Sequence, residues 1–111
     1  MIGLAKGNLS TSNSTIFSNG NNNTVYIKNI ILHNKNTSLN SSVTIYIVVN
    51  NSGSVGSATQ QDQLFFKALQ PNETFEISYG YPIELSAQGD SIQALSDTDG
   101  DINYVVGGVA T

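Results

Sequence analysis

Apolar residues in this chain come in short runs that recur about every 10 to 15 residues, each closed off by Asn, Ser or Gly. That rhythm belongs to short strands in a sandwich or barrel, where a few inward side chains are buried before the chain turns back. Residues 42–49 show the cleanest period of two, with Val43, Ile45, Ile47 and Val49 on one face and Thr44 and Tyr46 on the other. Residues 24–33 form the longest β segment. Val25 and Ile27 share a face, but beyond Asn29 the run is apolar through Leu32. Either both faces are covered there, or a bulge near Asn29 switches the inward face.

The remaining segments are expected at residues 4–9, 15–17, 64–69, 74–79, 81–85, 92–94 and 102–109. Phe75, Ile77, Ile83, Leu85, Ile92 and Ala94 point inward, and Glu76 sits on the solvated side. Turns are expected at residues 18–23, 70–73, 88–90 and 97–101, and a mobile polar loop at 50–61, which holds Gly53 and Gly56. Composition agrees. Val, Ile, Thr, Tyr and Phe number 37 against 21 for Ala, Leu, Glu, Lys and Arg, so residues suited to a pleated half-buried surface outnumber the good helix formers. The expectation is an all-β chain: an antiparallel two-sheet β-sandwich, Ig-like or jelly-roll-like, with eight or nine short strands. With 111 residues it is one domain, 1–111, in which residues 1–9 are an N-terminal arm or an edge strand.

The charge inventory narrows function by exclusion. Four Lys, no Arg and a net charge of −4 do not make the cationic surface that phosphates require, so no nucleic acid is expected as partner. No apolar run approaches a membrane span, so no membrane partner is expected, and residues 1–7 are too interrupted for a signal peptide. Cysteine is absent, which removes disulfides and thiolate chemistry. His33 is the single histidine. With 14 Ser and 5 Asp present a Ser/His/Asp triad is open to the composition, but no G-x-S-x-G elbow frames a nucleophile, and His33 reads as a strand-end residue.

Asp97, Asp99 and Asp101 alternate as at the start of an EF-hand loop. Ile102 then stands where that loop needs Gly, and Gly108 where it needs Glu, so an Asp-Gly turn is the better reading. Glu73, Glu76 and Glu84 make no glycosidase pair. Tyr79 and Tyr81 flank Gly80 either as packing for the end of the sandwich or as an anchor for a partner. Seven Asn-x-Ser/Thr sequons, at Asn8, Asn13, Asn22, Asn36, Asn40, Asn50 and Asn72, follow from a chain in which Asn, Ser, Thr and Gln make 43 residues. No catalytic, metal or cofactor residues are assigned, and no enzyme is expected.

The ordered segments, from Ser14-Thr15-Ile16-Phe17 through TVYIKNIILHN (24–34), Val43-Thr44-Ile45-Tyr46, LQPNET (69–74) and GDSIQA (89–94) to INYVVGGV (102–109), resemble the small single-domain β-sandwich structural proteins of tailed bacteriophage particles. The likeness covers nearly the whole chain and rests on strand-and-turn patterns. Two departures are residues 19–23, where such proteins often carry a Pro-Ala-Gly turn, and Asn72, where Gly is commoner. The resemblance implies a capsid-decorating or cementing role on the virion surface, after synthesis in the host cytoplasm. It also implies contacts to the major capsid protein or other virion proteins and a homo-oligomer of a size no residue selects. The alternative is a neck or tail accessory, or a carbohydrate-directed host-surface binding module.

Overall fold

The computed structural model describes residues 2–21 and 23–110, the side chains of Ile2, Gly3, Tyr79 and Tyr81 excepted. Eight strands follow one another: β1 (Ile2–Asn8), β2 (Ser14–Ser18), β3 (Val25–Asn34), β4 (Ser41–Val48), β5 (Gln63–Leu69), β6 (Thr74–Leu85), β7 (Ser91–Ser96) and β8 (Ile102–Ala110). They form two four-stranded antiparallel sheets, sheet I in the order β1-β8-β3-β6 and sheet II in the order β2-β7-β4-β5. An Ig-type sandwich keeps its first two strands in one sheet. Here β1 and β2 lie in different sheets, and the strand order is that of a jelly roll.

This topology is one long hairpin, rolled up. β1 pairs β8, β2 pairs β7, β3 pairs β6 and β4 pairs β5, and partners' residue numbers add to between 107 and 111 throughout. The roll closes when β8 adds to β3 and β7 adds to β4. The two inner faces then bury one cluster that includes Ile27, Ile30, Leu32, Val43, Ile45, Ile92, Ile102 and Val106. Each such side chain contributes about 1.5–3 kcal/mol by leaving water.

Of the two readings open for β3, a bulge that switches the inward face is the one present, at Lys28 beside Asn29. Ladder register slips between Ile27 and Asn29 toward both neighbours, so Lys28 is an extra residue. Val25 and Ile27 are inward before it, and Ile30 and Leu32 after it. On the β6 side Lys28 faces the four residues 79–82, because Ile27 pairs Ile83 while Asn29 pairs Ser78. The two segments expected at 74–79 and 81–85 are therefore one strand, β6, that pairs in two pieces. Counted apart, those pieces make nine strands. Pro82 is tolerated because β6 is a sheet edge. β8 runs on regularly past the same level, packed closely against β3. A Cβ on Gly108 would overlap the Tyr26 carbonyl oxygen, so only glycine lets β3 and β8 approach there.

Two other expectations change. Val49 is 73% exposed and Val48 is buried instead. The loop after β4 folds back over the outer face of sheet II, so that Val48 is covered from outside: its Cγ1 lies 3.2 Å from where a Gly56 Cβ would stand. That loop also carries more fixed contacts than a mobile one. The Gln93 amide donates to the Gly56 carbonyl at 2.8 Å, Asp90 accepts from the Asn50 backbone and side chain at 2.9 and 3.0 Å, and Asn51 bridges Ser54. Residues 2–8 are an edge strand whose Leu4 and Ala5 pack on the core.

Candidate functional site

His33 stands on the outward side of β3, directly across from Thr74, with Nδ1 2.7 Å from Oγ1. That is a nucleophile-to-base distance. The pair lies on the open face of sheet I, however, with Asn103 as its neighbour on β8. A cross-strand bond between paired strands accounts for it. Among the described residues no group of three or more His, Asp or Glu side chains converges on a point that would hold a metal ion.

The acidic turn at residues 97–101 spreads its carboxylates. Asp97 Oδ1 accepts from the Ser42 N–H at 2.8 Å and from Ser41 Oγ at 3.1 Å, tying the β7–β8 turn to the start of β4. Asp101 Oδ2 instead accepts from Asn36 Nδ2 at 3.1 Å. Gly100 takes φ +81°, the left-handed conformation an Asp-Gly turn uses. The buried hydroxyl of Ser41 also meets Ser96 Oγ at 2.9 Å and Thr98 Oγ1 at 2.6 Å, a network that ties the turn to β4 and β7.

Hydrogen bonds to the ionised form set the carboxylate acidities. The Ser42 N–H, followed by opposing burial and the Ser41 hydroxyl, holds Asp97 below its ordinary value. At Asp90 burial pulls upward, but donors from Asn50 and Ala87 outweigh it and the net shift is down. Glu76 is lowered by the amide of Asn29 and the hydroxyl of Ser78. All three arrangements favour the charged form for structural ends. The Tyr79 and Tyr81 rings, and the sequon at Asn22, lie outside the described residues.

The surface itself carries the strongest functional signal. β5 is one free edge of sheet II, and two of its large apolar side chains, Phe66 (60%) and Leu64 (50%), are exposed. Phe66 pairs across to Thr44, which pairs in turn to Leu95, and Tyr46 lies two residues along on the same face. Ser42, Thr44, Tyr46, Phe66, Ala68 and Leu95 together present no formal charge, while Gln93 beside them is buried under the loop after β4. On the opposite side of β5, Phe65 stacks on Phe75 at 5.9 Å, and the Lys67 ammonium lies 4.8 Å from the Phe75 ring centre. The sequence located the strand but not this asymmetry. Its signal was the adjacent pair Phe65-Phe66, which in a strand must place one ring on each face.

A second, shallower feature borders β1. Lys6, Asn8, Asn103 and Tyr104 line an open depression in which the Tyr104 ring leans over Gly7, its hydroxyl 2.9 Å from where a Cβ would be. None of the helical segments described is long and apolar enough to cross a membrane. No protein-family model, no curated protein and no solved structure matches this chain.

Proposed function

We propose that this chain is a non-enzymatic structural protein of a bacteriophage particle, held on the capsid surface by protein–protein contacts. Fold alone does not carry this, since jelly rolls serve capsid and lectin domains alike. The observation that supports it is the uncharged outer face of sheet II with Phe66 and Leu64 exposed at its edge. Exposed apolar side chains gathered on a charge-free face suit association with another protein surface. Many identical contacts on a symmetric shell then multiply a modest single affinity.

Quantitative mass spectrometry of gradient-purified particles tests the reading. Copies on the scale of the major capsid protein support it, and a chain absent from the particle overturns it. A few copies per particle would instead favour the second reading, a neck or tail accessory or a host-surface carbohydrate-binding module. The depression lined by Asn8, Asn103 and Tyr104 favours that alternative, because it offers amides beside an aromatic ring. A glycan array with the isolated chain tests it.

A further inference from the structure

The four free edges of this sandwich are not equally protected. β1 carries an irregularity at Leu4 and a lysine, Lys6, at its middle. β2 is five residues long and slips register at Ile16. β6 has Pro82, the unpaired stretch 79–82 and the carboxylates of Glu76 and Glu84. These are the devices that keep strand edges from pairing with other chains. β5 has its one irregularity at Leu64, near its start, which leaves Phe65 to Leu69 regular and without Pro, Gly or a carboxylate. Its single charge, Lys67, is engaged over the Phe75 ring.

We infer that β5 pairs antiparallel with β5 of a second copy about a two-fold axis at Phe66, joining the two sheets II into one eight-stranded sheet. The complementarity of β5 with itself selects this occupant, and charge excludes a neighbouring register. The chain carries a net −4, so copies repel through most of their surfaces, but β5 itself carries no carboxylate, and Asp97, which accepts from the Ser42 N–H, stands on the far side of β4 from it. An axis at Phe66 sets Leu64 against Ala68 of the second copy and Lys67 against Phe65, a cation beside an aromatic ring. An axis one residue further on would set Lys67 against Lys67, which is destabilising for directly opposed like charges. The two Phe66 rings then form a central apolar anchor ringed by Ser42 and Thr44, as in an isologous interface.

The proposal draws on the same exposed Phe66 and Leu64 as the particle reading, but it concerns the isolated chain, so the mass of the purified chain and the copy number in particles test the two separately. Sedimentation equilibrium of the purified chain at high micromolar concentration is expected to give twice 11.8 kDa. Phe66→Lys, which sets two cations at the axis, is expected to halve that mass with an unchanged far-ultraviolet spectrum, whereas Val49→Lys leaves it doubled. Because the chain has no cysteine of its own, register is read by mild oxidation of single-cysteine variants. Directly opposed Cα atoms lie about 4.5–5.5 Å apart, within disulfide reach. Phe66→Cys should therefore cross-link at least tenfold faster than Lys67→Cys, whose diagonal separation is about 7–8 Å. A wild-type monomer, an assembly of another size, a dimer that survives Phe66→Lys, or equal cross-linking of the two variants overturns the inference. A monomer would leave β5 to a strand from a different protein.

Discussion

Asn19 and Asn34 perform the same task at opposite ends of the sandwich. Asn19 follows β2 in sheet II, and its Nδ2 donates at 2.9 Å to the carbonyl of Leu85, the last residue of β6 in sheet I. Asn34 ends β3 in sheet I, and its Nδ2 donates at 3.2 Å to the carbonyl of Leu69, the last residue of β5 in sheet II. Each Oδ1 accepts the backbone N–H two residues on, from Asn21 at 3.1 Å and Asn36 at 3.0 Å. Both side chains are essentially inaccessible, at 2% and 0% exposure. One amide thus closes a local turn and clamps the two sheets together.

Removing either clamp leaves buried carbonyls and an N–H without partners. Asn34 also donates to the carbonyls of Leu39 and Gln70, so its loss is the larger. Asn34→Ala is expected to cost about 3 kcal/mol and Asn19→Ala about 2 kcal/mol in urea unfolding, from the desolvation of groups left unpaired. Asn34→Asp should be worse than Asn34→Ala, since it turns a donor into an acceptor facing three carbonyls. Asn40→Ala, at an exposed loop position, should stay within about 0.5 kcal/mol of wild type. An Asn34→Ala midpoint equal to that of Asn40→Ala would refute the clamp.

Nothing in the sequence separates these two asparagines from the other twelve, because their roles depend on strand ends brought together from the opposite sheet. What was legible was local. The change from Val25 and Ile27 to Ile30 and Leu32 left either two covered faces or a bulge near Asn29, and the bulge at Lys28 decides between them, since one extra residue flips a period-two pattern. The exchange of Val48 for Val49 was not legible, because it arises from a loop folding over the outer face and held there by Gln93. Tyr79-Gly80-Tyr81-Pro82 reads locally as a turn, and only a partner strand with a single spare residue, Lys28, makes it an edge bulge. The candidate site was legible as a strand and illegible as a surface, since exposure of Phe66 follows from β5 being last in its sheet.

Acid should weaken the fold in a defined window. Asp97 has a folded-state pKa below its ordinary 3.8, so it contributes stability that is complete above the unfolded value and is lost as pH falls through the folded one. Asp90 acts in the same direction. Both are largely solvent-screened, so each effect is modest. Urea midpoints should be flat from pH 7 to pH 5 and fall below pH 4. Asp97→Asn, whose amide oxygen still accepts from the Ser42 N–H, should make that fall shallower while changing the neutral midpoint little. A steeper acid fall in Asp97→Asn than in wild type would contradict the assignment.

Gly108 lies on β8 beside the level where β1, β3 and β6 lose register, while β8 itself runs on regularly. Its hypothetical Cβ meets the backbone oxygen of Tyr26, which cannot move without breaking the β3–β8 ladder. Gly108→Ala is therefore expected to cost about 1–3 kcal/mol, as for other overpacked sites. Gly20→Ala has open space around its Cβ and should be neutral or slightly stabilising. Thermal melts of the two variants give the comparison, and equal melting points would remove the steric account.

Asn72 is one of two non-glycine residues described at positive φ, at +60°, in the turn that carries β5 into β6. The Glu73 N–H closes this turn on the Gln70 carbonyl at 3.1 Å, while the Glu73 carboxylate accepts from the Gln70 N–H at 2.8 Å. The left-handed conformation costs an ordinary L-residue about 1–2 kcal/mol, and asparagine bears it better because its short polar side chain bonds locally. Asn72→Gly should therefore leave stability within about 0.5 kcal/mol, whereas Asn72→Val should lose about 1–2 kcal/mol. The lost increment belongs to the turn, so hydrogen exchange should rise first at the Asn34 amide, which bonds to the Glu73 carbonyl at 3.0 Å and so depends on this turn keeping its shape. Unchanged protection at Asn34 in a destabilised Asn72→Val chain would place the strain elsewhere.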